Sequence, residues 1–205
     1  MDPEWDSLWR SVGAGPDDRA AGDAGVGESR VHGGAGVGPA ARAGSAAGGS
    51  DLRAFVVRTD GAARGNPGPA SLGAVLIDAS APGSRRPDAA PLASISEYLG
   101  VQTNNVAEYT AVLRALALAE ELGGREVEML LDSKLIVEQL HGRWRVKDSK
   151  LIPLHAEAKA RLGRFARWSA THVPRAQNKQ ADALCNEAID RVQAGGPWAV
   201  AVRPK

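Results

Sequence analysis

The chain has 205 residues, 43% of them hydrophobic, with 25 Lys+Arg against 24 Asp+Glu and a formal net charge of +1. That allows one core of ordinary size, with or without a tail, and too little for two full domains. A single cysteine, Cys185, excludes an intrachain disulfide, four scattered histidines make no zinc-like cluster, and no run approaches the roughly 18 apolar residues of a membrane-spanning helix.

The start, MDPEWD, is acidic, the opposite of a signal peptide's basic n-region, so a soluble, cytoplasmic protein is expected, most simply a monomer. Residues 1–50 hold 12 of the 24 glycines and ten alanines, with no apolar periodicity past the first dozen positions. Such a segment buries too little surface to offset its ordering entropy. A disordered tail is therefore expected over 1–50, a folded domain over 51–195 and a C-terminal extension over 196–205. Charge divides at the same place: the first 50 residues carry four Lys+Arg against seven Asp+Glu, leaving 21 against 17 for the rest. A mildly basic domain permits a polyanionic partner without requiring one. Within the tail, Trp5, Leu8, Trp9 and Val12 fall at i, i+3, i+4 and i+7, one face of a short helix. That spacing suits docking into a partner protein's groove, and equally a plain leader.

From Leu52 the pattern is orderly. AFVVRTD reads as a strand, GNPGP as a turn, and SLGAVLID as a second strand in a hairpin with the first. A polar loop from Ala79 to Pro91 leads to LASISEYLG, which alternates like a third strand. The period then changes: in NNVAEYTAVLRALALAEELGG, Tyr109, Val112, Leu113 and Leu116 recur at helical spacing, and Gly123 sits where a C-cap glycine belongs. EVEMLLD is a strand, SKLIVEQLHG and IPLHAEAKARLGRF are helices, WSATHVP is a fifth strand and NKQADALCNEAIDRVQAGG a closing helix. This order implies an α/β domain with a mixed sheet, in which the first helix is a crossover bringing EVEMLLD parallel to AFVVRTD.

If those two strands are neighbours, about 4.8 Å apart, Asp60 and Asp132 both stand at carboxyl ends of adjacent strands, the edge where open α/β sheets place ligands. Glu108, on the first turn of the crossover helix, and Asp182, near the start of the last helix, can join them. Each acid alone has an ordinary explanation: a turn residue, a helix N-terminal acid, an N-cap, a solvated side chain. Gathered together, four carboxylates would repel and raise one another's pKa unless divalent cations filled the cluster.

The segments TDGAARGNPGP, TNNVAEY, LLDSKLIVEQL and NKQADALCNEA, in that order, resemble the type 1 ribonuclease H family over roughly Arg53 to Ile189. The resemblance implies a mixed five-stranded sheet with flanking helices and hydrolysis of the RNA strand of RNA–DNA hybrids. It implies two Mg²⁺ ions, with Mn²⁺ as a substitute, held by Asp60, Glu108, Asp132 and Asp182. It also implies that Asn66, Asn104 and Asn105 contact the hybrid's groove, that Thr103 helps seat a DNA-strand phosphate, and that Gly61, Ser133 and Lys134 lie along the substrate. Lys134 stands where many relatives have glutamine. Wide hybrid minor grooves display 2′-hydroxyls, and glycines allow close backbone approach because they lack a Cβ.

The chain also departs from the family. Many relatives carry a histidine loop before the last acid; here HVPRAQNKQAD is short, His172 falls in the strand, and Arg175 is the substitute to expect. The basic, Trp-rich insertion of some relatives shrinks to HGRWRVKDSK, which predicts weaker and more salt-sensitive binding. Two alternatives stay open: another nuclease on the same fold, acting on double-stranded RNA or a junction, and a hybrid-binding module without catalysis. The latter would be expected to lack one of the acids, and all four are present.

Overall fold

Small and apolar side chains fold AFVVRTDGAA and GPASLGAVLID back on each other as strands β1 (Ala54–Ala63) and β2 (Gly68–Asp78). They are antiparallel, in unbroken register from Phe55 opposite Asp78 to Ala63 opposite Ala70. The computed structural model describes residues 53–204. The tail expected over 1–50, with its Trp5/Leu8/Trp9/Val12 face, lies outside the described residues.

Strand β3 (Ala93–Gln102) pairs antiparallel with β2. Helix α1 (Asn104–Glu121) follows, capped by Thr103, whose Oγ1 accepts from the Val106 amide at 3.4 Å. The helix then crosses to β4 (Glu126–Leu131), which lies parallel to β1. Helices α2 (Lys134–Leu140) and α3 (Leu151–Leu162) come next, then β5 (Arg167–His172), parallel to β4, and helix α4 (Lys179–Gln193). The mixed sheet with flanking helices is the architecture expected.

The sheet has six strands, in the order β5-β4-β1-β2-β3-β6, rather than five. The sixth, β6 (Ala199–Val202), adds antiparallel to the outer edge of β3. Its four residues are exposed and its sequence, AVAV, is too short to show a period, so only its partner identifies it.

The main core lies between one face of the sheet and helices α1–α3. It joins Phe55 and Val57 of β1 and Met129 and Leu131 of β4 to Val106, Tyr109, Leu113 and Leu116 of α1 and to Leu140 and Leu154. Each such fully buried side chain contributes about 1.5–3 kcal/mol. Helix α4 covers other strand residues: a second apolar cluster holds Val56, Val75, Ile77, Leu130 and Val173, with Leu184 packed against it.

Two glycines set how closely the helices approach. A Cβ on Gly61 would stand 2.1 Å from the Glu108 amide nitrogen of α1, and one on Gly73 would stand 2.0 Å from the Ala181 carbonyl oxygen of α4. Gly73 is the residue opposite Asp60 in the β1–β2 ladder. Both helices therefore dock at the level of Asp60, each carrying one of the predicted acids beside its contact point. No helix among the described residues is long and apolar enough to cross a membrane.

Candidate active site

The β1–β4 pairing ends at Val57 opposite Met129. Asp60 and Asp132 stand the same distance along the chain past that last pair, so two adjacent parallel strands deliver their carboxylates at one level. Strand β1 does not stop at Asp60, as AFVVRTD suggested; it runs on to Ala63 against β2. Glu108 opens the second turn of α1 rather than lying on the first, because the helix starts directly after its Thr103 cap.

One carboxylate oxygen from each of Asp60, Glu108 and Asp132 lies within 4.8 Å of the other two. Asp60 is 4% exposed and Glu108 9%. Burial, and then the charges of Asp132 and Asp182, push the Asp60 carboxyl up to about 6. Burial, and then Asp60 and Asp132, raise Glu108 well above the ordinary carboxylate range, against a backbone hydrogen bond from Gly61 that opposes the shift. Asp182, in the first turn of α4, is not in this close group. Its Oδ1 accepts from Arg175 Nη2 at 2.5 Å and its main-chain oxygen from Asn186 Nδ2 at 2.9 Å, yet its charge is felt at Asp60.

These residues fit a hard divalent cation. The donors are all carboxylate oxygens, as such ions prefer, and Asp60 Oδ2 is buried without a hydrogen-bond partner. A buried, unsatisfied carboxylate oxygen costs several kcal/mol unless a proton or a cation meets it. The adjacent thiol offers neither a nucleophile nor a ligand. Burial pushes Cys185 up to about 12, and it is tied to Ser71.

A family model described as reverse transcriptase-like matches residues 58–188. Ribonuclease HI of Halobacterium salinarum is 44% identical over 131 residues, 64% of this chain and 62% of that protein. The crystal structure of RNase H1 from the same archaeon superposes with a TM-score of 0.61 at 42% identity, covering 67% of this chain and 98% of that one. The chain belongs to the type 1 ribonuclease H family. A bifunctional protein of Mycobacterium tuberculosis is 44% identical over 135 residues, 66% of this chain but only 35% of its own length. The chain thus spans less than two thirds of the full length of the Halobacterium salinarum ribonuclease HI and of the Mycobacterium tuberculosis protein. LC11-RNase H1, isolated from compost and solved in complex with an RNA/DNA hybrid, is 39% identical with a TM-score of 0.61, covering 68% of this chain and 99% of that one.

Of the other residues expected at a ribonuclease H substrate surface, Gly61, Ser133 and Lys134 lie within two residues of Asp60 or Asp132, and Asn104 and Asn105 open the helix that carries Glu108. Asn66 sits in the exposed loop between β1 and β2, and its Oδ1 accepts from the Asn104 amide at 3.2 Å. The loop and the start of α1 are thereby joined, with Asn104 and Asn105 exposed. Thr103 spends its hydroxyl as a cap. Ser133 precedes α2 without a side-chain cap bond, and Lys134 is exposed at its first position. Gly61 has a packing duty: its missing Cβ is what admits α1. His172 ends β5 and is exposed. Arg175 belongs to the short turn before α4, three-quarters exposed, and lowers the pKa of both Asp60 and Glu108.

Sequence reasoning missed two residues. Asn178 is fully buried, and its Nδ2 donates to the Thr59 carbonyl and to Asp132 Oδ1, each at 2.8 Å. Asn178 directly precedes α4, and its side chain makes no cap bond there. Arg58 is 1% exposed and donates to the carbonyls of Gln177 and Arg85 at 2.7 and 2.8 Å. A charge inside the apolar run AFVVR was a visible signal, since a buried guanidinium needs partners.

Proposed function

We propose that the protein is an endoribonuclease that hydrolyses the RNA strand of RNA–DNA hybrids with two Mg²⁺ ions, Mn²⁺ serving as a substitute. The observation that carries this is the meeting of Asp60, Glu108 and Asp132 within 4.8 Å at the end of two parallel strands, with one buried Asp60 oxygen unmet. Asp60, Glu108, Asp132 and Asp182 would hold the ions, which when bound supply Lewis-acid polarisation of a phosphodiester and acidify water.

The chain's own residues do the remaining work. Burial holds the carboxyl pKa of Asp60 and of Glu108 above the ordinary range in the metal-free protein, so a cation competes with protons there and its binding tightens as pH rises. Arg175 places a permanent positive charge beside Asp182, where it can meet a backbone phosphate or the product's 5′ phosphate. Asn66, Asn104 and Asn105 present amide groups on one exposed rim, suited to sugar and base edges of a wide minor groove. Lys134 and the cations of HGRWRVKDSK, Arg143, Arg145, Lys147 and Lys150, supply the phosphate-side charge. The hybrid complex of LC11-RNase H1 supports the choice of substrate.

Digestion of labelled RNA–DNA, RNA–RNA and DNA–DNA duplexes, each with and without Mg²⁺, tests the proposal. Cleavage confined to the RNA strand of the hybrid and dependent on the ion is expected. Equal cleavage of RNA–RNA would redirect it to a double-strand ribonuclease, and binding without any cleavage to a hybrid-binding module.

A further inference from the structure

The turn that carries Arg175 is fastened to the sheet from inside by two buried side chains. Arg58 reaches up from β1 and donates to the Gln177 carbonyl at 2.7 Å and to the Arg85 carbonyl, in the loop after β2, at 2.8 Å. One residue on, Asn178 points the opposite way. Its single amide nitrogen binds the Thr59 carbonyl, immediately before Asp60, and Asp132 Oδ1, both at 2.8 Å. Two acceptors fix the orientation of that amide, because only the nitrogen can donate to both. Asn178 is wholly buried and its Oδ1 has no partner, so nothing in its surroundings rewards the flipped form.

We propose that Asn178, backed by Arg58, is a positioning residue that sets the Asp132 carboxylate against Asp60 for cation binding. Asn178 ties the backbone leading to one acid to the side chain of another. It thereby removes the rotation that would let Asp132 swing out of the close group. The amide engages Asp132 Oδ1 and leaves Oδ2 free of it. Arg58 holds the adjacent carbonyl, so the turn cannot lift and take Asn178 with it. The clamp also sets the start of α4, where Asp182 lies one turn beyond Asn178 and accepts from Arg175. A hydrogen bond to a ligand carboxylate typically governs metal affinity or activity by 10-fold to 100-fold.

This inference rests on the proposed metal-dependent cleavage, but its test does not depend on cleavage alone. Mn²⁺ is titrated calorimetrically into the metal-free full chain, and into Asn178→Ala, Asn178→Asp and Arg58→Met. Hybrid cleavage is followed against Mn²⁺ concentration for the same proteins. Asn178→Ala is expected to weaken Mn²⁺ binding by roughly 10-fold or more, and to raise by a similar factor the concentration giving half-maximal cleavage, with KM for the hybrid little changed. Asn178→Asp keeps the size, removes both donors, and should bind no better than the alanine variant. Arg58→Met should lower Tm and move the Mn²⁺ midpoint in the same direction.

Asn178 variants that fold and bind Mn²⁺ within twofold of wild type would overturn the proposal. A lower Tm with an unmoved midpoint in Arg58→Met would overturn that residue's share. If Asn178→Ala does not fold, Asn178→Asp carries the same two outcomes. A wild-type chain that binds Mn²⁺ but cleaves no hybrid would defeat the functional reading while leaving the clamp to be judged on binding.

Discussion

Gly61 lies so close to Glu108 that a Cβ on the glycine would stand 2.1 Å from the glutamate's amide nitrogen. The residue after Asp60 thus admits the helix that carries a second acid, and its backbone amide partly offsets the rise in that acid's pKa. Gly61→Ala should displace α1 because backbone meets backbone, with no flexible side chain to yield. A loss of about 3 kcal/mol is expected, together with most of the activity, measured by thermal unfolding and hybrid cleavage on one preparation. A stable, active alanine variant would show that the helix can shift without disturbing the site.

Asp60→Asn keeps the size of the side chain and removes its charge. An amide cannot serve two hard cations as a carboxylate does, and loss of a transition-state electrostatic contribution of several kcal/mol should reduce kcat by roughly 10³-fold or more. Binding of the hybrid without metal should persist or improve, since one negative charge near the phosphates has gone. Cleavage within threefold of wild type would remove Asp60 from the active site.

The same variant reports the strain of the metal-free cluster. The Asp60 carboxyl is raised from 3.8 to about 6, so between those values the native state binds more protons than the unfolded chain. Stability from this group is therefore greatest below about pH 4 and is lost as pH rises through 6. In EDTA, wild type should gain on the order of 2 kcal/mol relative to Asp60→Asn between pH 7.5 and pH 4.5. Saturating Mn²⁺ at pH 7.5 should raise the Tm of wild type and leave that of Asp60→Asn much less affected. Parallel pH profiles of the two metal-free proteins would show that Asp60 is not titrating in this window.

Arg175→Ala removes a charge that faces Asp182 at 2.5 Å but belongs to none of the three closest acids. Turnover should fall by roughly tenfold without vanishing, because Arg175 bonds a ligand carboxylate and offers phosphate-side charge but does not itself hold the ions. Total inactivity with a normal circular dichroism spectrum would mean that Arg175 has a larger part in the chemistry.

Residues 53–205 alone should hydrolyse a hybrid as fast as the full chain. The composition break near Ser50 motivates this, and every acid and groove asparagine lies beyond it. A tenfold lower kcat in the shortened protein would assign the tail a part in catalysis.

Local sequence determined much of this protein. Apolar runs marked the strands buried on both faces, alternation marked β3, and a 3.6-residue period marked the helices. The four acids could be named because each sits in a segment, TDG, NNVAEY, LLDS or NKQAD, that resembles a ribonuclease H motif. Gly61 and Arg58 were visible as residue types, but their duties were not, since a missing Cβ or a buried guanidinium acquires meaning only from what packs against it.

Tertiary structure alone decided the rest. It matched Asp60 to Asp132 through the end of the β1–β4 ladder, and set Asp182 apart from the close group by giving it Arg175. It made a strand of AVAV by lending it the edge of β3. It also made Asn178, the residue before α4, a brace between Thr59 and Asp132, residues 119 and 46 positions away. A hydrogen bond across such separations leaves no periodicity or spacing in the chain, because its geometry exists only once the sheet has brought the strand ends together.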